Sequence, residues 1–77
     1  MNPIKQIRKE KGMTLTQLAI ACGKSYTWAW CAEQGVPAKV GPAMRQVLAG
    51  WGYDPNQVNR EYQAWRRDQM KALGNAQ

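Results

Sequence analysis

The feature that most constrains this chain is the regular recurrence of residues that begin and end helices. Asn2 followed by Pro3 is a favourable start, because asparagine caps a helix and proline fits its first turn. Gly12 is a favourable end. Similar signals follow along the chain, with starts at Thr14, Ser25, Pro42 and Asp54-Pro55 and ends at Gly23, Gly35 and Gly74. The pattern predicts an all-α fold, a compact domain of five helices joined by short links.

Apolar residues recur at intervals of three and four between these signals, as expected when one face of each helix packs inward. The predicted inward residues are Ile4 and Ile7 in the first helix, Leu18, Ala19 and Cys22 in the second (Leu15 to Cys22), Met44, Val47, Leu48 and Trp51 in the fourth, and Val58, Tyr62, Trp65 and Leu73 in the last (about Pro55 to Leu73). The third helix follows its Ser25 cap and ends at Gly35. The link after it, "VPAKVGP", contains two prolines and a glycine and is predicted to be a loop.

A chain of 77 residues has room for one small hydrophobic core. Residues 1–53 hold the first four helices. Residues 54–77 hold a last helix that either packs on them within the same domain or pairs with a second copy. Eleven Lys and Arg against five Asp and Glu give a net charge of +6. This balance favours a polyanionic partner, nucleic acid first and an anionic membrane surface second.

Several classes of function are disfavoured by the residue types that the chain lacks. It has no His, no clustered carboxylates and no glycine-rich phosphate loop, so we predict no enzyme activity, no small-molecule substrate and no cofactor. Cys22 and Cys31 have no further soft ligands nearby, so we predict no metal site and treat each as a small apolar residue in a reducing compartment. The longest apolar run, Leu18 to Cys22, is far too short for a membrane span, and we expect a cytoplasmic location without membrane binding.

The stretch from Gly12 to Gly35, "GMTLTQLAIACGKSYTWAWCAEQG", combines small, capping and charged residues at set intervals. These residues are Gly12, Thr14, Leu18-Ala19, Gly23, Ser25, Ala29, Glu33 and Gly35. In this order and spacing the stretch resembles the helix-turn-helix of the phage Cro and lambda-repressor (XRE-like) family of DNA-binding regulators. The resemblance covers roughly residues 3–53, and it implies that the third helix, about residues 25–34, lies in the major groove of DNA.

Two features of the stretch have structural meaning. Ala19 is small because the two helices of the motif cross closely there, and Gly23 provides the backbone freedom that the turn between them needs. The resemblance also implies a structural ion pair between Arg8 and Glu33, which would tie the first helix to the third.

The chain departs from the family's pattern in three ways. Leu15 stands where the family usually has a glutamine that contacts phosphate. Ala29 and Ala32 replace larger aliphatic residues and leave core volume, and we expect Trp28 to fold over that space. The outward positions of the third helix lack the usual Arg, Gln or Asn, which raises the question of how bases are read.

The resemblance places base reading at the first, second and sixth residues of the third helix, here Tyr26, Thr27 and Cys31. At about 100° per residue, Trp30 falls on the same outward side. A hydroxyl can hydrogen-bond to base edges, and an apolar side chain can pack on the thymine methyl group, so an uncharged helix can still discriminate bases. The alternatives for Trp30 are contact with a protein partner or coverage of a neighbouring helix.

Positive charge is expected around the third helix rather than on it. The candidate phosphate-binding residues are Lys24, Ser25, Gln34, Lys39 and Arg45, and the alternative is a solvated basic face. Domains of this kind usually bind as dimers on half-sites about 34 Å apart. The candidate dimer surface comprises Trp51, Val58, Tyr62 and Trp65.

The leading interpretation is a sequence-specific transcriptional regulator that binds a double-stranded DNA operator as a homodimer. The small size and the resemblance favour a repressor of phage or prophage type, associated with the nucleoid of a bacterial host cell. One alternative is a protein-binding module of antitoxin or inhibitor type that uses Tyr26, Trp30 and Cys31 as an apolar docking patch. Another is RNA binding through the aromatic and basic last helix.

Overall fold

A computed structural model of the chain describes the backbone of residues 1–75 and the side chains of residues 1–74. Over that range the protein is all-helical, with five helices: α1 (Pro3–Glu10), α2 (Leu15–Ala21), α3 (Tyr26–Gln34), α4 (Pro42–Gly50) and α5 (Pro55–Asn75). The predicted all-α, five-helix fold is confirmed, and the predicted helix ends agree to within about two residues. Among the described residues, no helix is both long enough and apolar enough to cross a membrane.

Local hydrogen bonds explain where the helices begin and end. The side chains of Asn2, Thr14 and Ser25 each accept a hydrogen bond from a backbone N–H in the first turn of the helix that follows. Thr14 and Gln17 form a capping box, because the N–H of Thr14 also donates to the side-chain oxygen of Gln17 at 2.9 Å. At its other end α3 stops at Gly35, whose φ of +83° lies in the left-handed region that glycine adopts without strain.

The core takes side chains from every helix. Its buried apolar residues are Ile4, Ile7, Leu18, Ala19, Ala29, Ala32, Val40, Met44, Leu48, Val58 and Tyr62. α2 packs against α3, while α1 contacts both α3 and α5, and α4 contacts α5. Burial of a large apolar side chain contributes about 1.5–3 kcal/mol. In a core this small, each helix is therefore needed to bury the others.

The first half of α5 packs on the core. Val58 and Tyr62 are only 4% and 1% exposed, and Trp51 and Trp65 are half-buried against the same cluster. The assignment of Val58 and Tyr62 to a dimer surface is wrong, because their apolar area is already covered within one chain. Leu73 was predicted to face inward on the same stripe, but it is exposed.

The length of α5 explains the exposure at its end. Its 21 residues span roughly 32 Å at 1.5 Å per residue. The two shorter dimensions of the molecule are 24 and 21 Å. The last turns of α5, residues 67–74, are accordingly exposed.

Candidate nucleic-acid interface

α3 presents one continuous exposed face to solvent. Tyr26, Thr27, Trp30 and Gln34 are exposed and lie within an arc of about 100° around the helix, and we call these four residues the outer face. Tyr26 and Trp30, one turn apart, are 54% and 45% exposed. Cys31 lies at the border of this arc and is half-buried. Three of the four candidate base-reading residues therefore share the outer face, with Cys31 at its edge.

The opposite side of α3 is held against the core. Ala29 and Ala32 are buried there, and Glu33 is buried beside them. Because the two alanines are small, α3 can approach its neighbours closely. Because its inward side is fixed, the direction in which the outer face points is fixed as well.

The ion pair implied by the resemblance is present and sets the rotation of α3. Arg8 Nε donates to Glu33 Oε2 at 2.6 Å, and its Nη2 donates to Oε1 at 3.1 Å. The third guanidinium nitrogen, Nη1, donates to the carbonyl of Met13 at 2.8 Å. The hydrogen bond with Glu33 raises the pKa of the Arg8 guanidinium, against a smaller lowering from burial. This paired, two-point contact ties α3 to α1 in one orientation.

Asn2 supplies a second anchor, of which only the cap on α1 was predicted. Its Nδ2 donates to the carbonyls of Ala32 at 3.0 Å and Glu33 at 3.1 Å, near the end of α3. Its Oδ1 accepts from the N–H of Ile4 at 2.8 Å. One buried amide thus satisfies free backbone groups at the start of α1 and the end of α3. The sequence signal was the choice of asparagine, which can donate as well as accept, unlike aspartate.

Three of the candidate phosphate-binding residues lie at the ends of α3. Lys24 and Ser25 precede the helix and Gln34 ends it, and all three are exposed. Ser25 Oγ accepts from the N–H of Trp28 at 3.1 Å, which leaves the hydroxyl proton free to donate. The ammonium of Lys24 lies 6.0 Å from the centre of the Trp28 ring.

The other two candidates differ in their freedom to reach a phosphate. Lys39 is exposed in the link between α3 and α4. Arg45, on α4, is half-buried, and its Nη2 donates to Oδ1 of Asn56 in the first turn of α5. Arg45 is thus already engaged within the protein, whereas Lys39 is accessible to a partner.

The link between α3 and α4 is fixed to α5, although it has no regular secondary structure. Three α5 side chains reach it: Tyr62 Oη donates to the carbonyl of Pro37 at 2.6 Å, Arg66 Nε donates to the carbonyl of Gly35 at 2.9 Å, and Asn59 Oδ1 accepts from the N–H of Val40 at 2.9 Å. Sequence reasoning missed these contacts. The available signal was the spacing of the three residues along one side of α5.

Two of the departures from the family's pattern have a packing explanation. Leu15, which stands in place of the family's usual glutamine, is half-buried and packs against the core. Trp28 is also half-buried against the core, and together with Ala32 it lines a small cavity. Apolar packing therefore occupies both positions. Trp28 lies beside the space left by Ala32 but does not fill it.

Negative charge is concentrated on a different side of the molecule. Glu10, Asp54 and Glu61 line a groove between α1 and α5. Glu10 is two residues from Arg8, which places it roughly 200° around α1. Since Arg8 contacts Glu33 of α3, the groove lies on the side of α1 that faces away from α3.

The cysteines and carboxylates do not form a metal centre in the part of the chain that the structure describes. Over those residues, no group of three or more His, Cys, Asp or Glu side chains is placed to hold a metal ion. Cys22 and Cys31 are both free thiols, and burial raises the pKa of Cys22.

Comparison with protein-family models, with curated proteins and with solved structures finds no match to this chain. Its function is therefore inferred from its residues and their geometry.

Proposed function

We propose that the protein is a sequence-specific DNA-binding regulator that reads the major groove with the outer face of α3. The observation that carries this proposal is the joint exposure of Tyr26, Thr27, Trp30 and Gln34 on a helix whose other side is anchored. α3 has nine residues and is about 13 Å long. An α-helix is about 10–12 Å across with its side chains, so a major groove roughly 12 Å wide admits it.

The outer face offers chemistry suited to base edges. The hydroxyls of Tyr26 and Thr27 can both donate and accept hydrogen bonds, while the Gln34 amide, a candidate phosphate contact, can donate at the end of the same face. The Trp30 indole can pack on the methyl group of thymine. Since base discrimination requires side chains to be held in position, the ion pair and the Asn2 amide bonds support this use of α3.

The charge distribution supports an orientation with α3 toward DNA. The net charge is +6, and the exposed Lys24 and Lys39 flank α3 in the sequence. The carboxylates of Glu10, Asp54 and Glu61 line a groove on the far side of α1. With α3 toward the DNA, these three carboxylates lie away from the phosphates, the net positive charge attracts the polyanion, and contacts with phosphate then fix the register.

In a bacterial cell, we propose that the protein acts as a repressor of phage or prophage type, which occupies an operator and excludes polymerase. A single α3 covers only a few base pairs, so we propose binding as a homodimer. The dimer contact would lie outside Val58 and Tyr62, because both are buried within one chain.

The test is selection of bound duplexes from a random DNA pool at near-physiological salt. The expected result is a palindrome whose half-site centres lie about ten base pairs apart. A variant with Tyr26→Ser and Trp30→Ser is the control, because both side chains are exposed and the fold should be retained. If the intact, folded protein enriches no sequence, base reading by α3 is rejected.

A second candidate function is protein binding through the same face. Tyr26 to Gln34 contains no Lys or Arg, and Val36, just beyond α3, is 62% exposed. An apolar docking patch of this kind would suit an antitoxin or inhibitor. DNA binding weakens steeply as salt is added, with a log–log slope of about −0.9 for each phosphate neutralised. Binding to a protein partner that is insensitive to salt would favour this second function.

A further inference from the structure

The cavity beside Trp28 is a feature that DNA reading does not use. It has a volume of about 80 Å³ and lies where α3, the link to α4 and α4 itself meet. Its apolar walls come from all of these elements and from α1 and α5: Ile4, Trp28, Ala32, Val40, Met44 and Tyr62. Among the described residues, Lys39 is the charged side chain that lines it.

The residue at position 32 is one of the smallest in the wall. Ala32 is buried in α3 and contributes only a methyl group to the wall. A leucine there would extend an isobutyl group toward the cavity. The neighbouring wall is the half-buried Trp28, one turn earlier on the same helix.

We propose that this cavity binds a small monocarboxylate, with its alkyl tail among the apolar walls and its carboxylate on Lys39. A 150 Å³ apolar cavity binds benzene, so a cavity of about 80 Å³ has room for a tail of roughly three or four carbons. The Tyr62 hydroxyl, a polar group of the wall, already donates to the carbonyl of Pro37 at 2.6 Å. The walls therefore favour an alkyl group, while Lys39 is exposed and can hold an anionic head group in water.

Such a site would regulate the DNA binding proposed above, and this part of the inference rests on that function. Trp28 and Ala32 belong to α3, and Lys39 is a candidate phosphate contact. A carboxylate paired with Lys39 removes that cation from the phosphate backbone. The ligand is therefore expected to weaken DNA binding severalfold and act as an inducer.

The test titrates 3-methylbutanoate into the intact protein without DNA and follows the indole N–H of Trp28 by nuclear magnetic resonance. For a ligand of this size we expect a Kd on the order of 1 mM. The uncharged analogue 3-methylbutanamide should bind about fivefold more weakly, and Lys39→Gln should weaken binding of the acid by the same factor.

Two variants fill the cavity from different walls. Ala32→Leu is expected to abolish binding, and Val40→Ile provides a smaller filling if the first variant fails to fold. Ala49→Leu is the matched control, because Ala49 is exposed on α4 and outside the cavity, and it should bind like the unmodified protein.

Three outcomes decide the inference. The site is overturned if the Trp28 indole signal does not shift at 3-methylbutanoate concentrations well above the expected Kd. It is also overturned if the cavity-filling variants bind as the unmodified protein does. Equal binding of acid and amide overturns the role of Lys39 and with it the carboxylate class. Because the titration contains no DNA, ligand binding without duplex selection would reject the proposed function and leave the site standing.

Discussion

Gly35 and Trp65 pack so closely that a side chain at position 35 would overlap the indole. A β-carbon built on Gly35 would lie 2.8 Å from Cζ3 of Trp65. The same indole lies 6.0 Å from the ring centre of Tyr62. This contact joins the end of α3 to α5, and it depends on the residue at position 35 having no side chain.

Gly35→Ala is expected to lower the free energy of unfolding by about 3 kcal/mol. The left-handed conformation costs a non-glycine residue about 1–2 kcal/mol, and the overlap with Trp65 adds to it. Gly23→Ala is the matched control, since Gly23 has a φ of +65° but open space around it, and it should lose only about 1 kcal/mol. Urea unfolding measures both. Equal losses would mean that Trp65 moves aside at little cost.

The Arg8–Glu33 pair is expected to be costly to break and cheaper to replace. Glu33→Ala leaves Arg8 without its partner and should destabilise the fold by about 3 kcal/mol. The double variant Arg8→Met, Glu33→Leu should lose less, because no charge is left unpaired. Thermal unfolding at constant pH compares them, with Glu10→Ala as the exposed control. If the double variant loses more stability than Glu33→Ala, the ion pair contributes more to the stability of the fold than an apolar contact can.

The Tyr62 hydroxyl is expected to stabilise the link through its bond to Pro37. Tyr62→Phe keeps the buried ring and removes a 2.6 Å hydrogen bond, and we expect a loss of about 1.5 kcal/mol. Tyr53→Phe is the control, because the Tyr53 hydroxyl lies 3.4 Å from Glu10 in an exposed contact, and it should change stability by less than about 0.5 kcal/mol. Denaturant unfolding at neutral pH measures both. A similar small effect for both would show that the link is held mainly by packing.

Base reading and phosphate contact should separate in binding measurements. Thr27→Ala is expected to change the preferred bases, whereas Lys24→Gln should weaken all sequences alike and reduce the salt slope by about 0.9. Lys71→Gln, in the exposed end of α5, should leave both properties unchanged. Fluorescence anisotropy on matched and mismatched duplexes gives both readouts. A strong effect at Lys71 would move the nucleic-acid surface to α5, in line with RNA binding.

Truncation is expected to have opposite effects at two places in α5. A chain ending after Arg67 should remain folded, because residues 67–74 are exposed. A chain ending after Tyr53 should unfold, since it loses Val58 and Tyr62 from the core. Circular dichroism distinguishes these outcomes. If the chain ending after Tyr53 is unfolded, its failure to bind RNA does not assign RNA binding to α5. If that chain is folded, the role of α5 in the core is contradicted.

Helix positions could be predicted because their determinants are local. Asn2-Pro3, Thr14 and Ser25 each act on a helix that begins within a residue or two. The Arg8–Glu33 pair spans 25 positions, and it was expected because of the family resemblance. The outer face followed from helical periodicity once the inward alanines of α3 were recognised.

The role of α5 could not be predicted in the same way. A stripe such as Val58, Tyr62 and Trp65 shows that one face must be covered, but the stripe is the same whether its own chain or a second chain covers it. The continuation to Leu73 failed because the helix extends beyond the bundle. The spacing of Asn59, Tyr62 and Arg66 marks one side of α5, but it does not identify the loop atoms that these side chains contact. The hydrogen bond from Tyr62 to Pro37, for example, joins residues 25 positions apart.

The fixed link between α3 and α4 also determines where the molecule can be enlarged. Connections between helices usually tolerate inserted residues, because their backbone groups face water. Here α5 side chains form hydrogen bonds with the backbone of Gly35, Pro37 and Val40. An insertion in the link would therefore break contacts that hold α3. A fluorophore or a fused domain is better attached beyond the exposed end of α5, where added chain displaces none of these bonds.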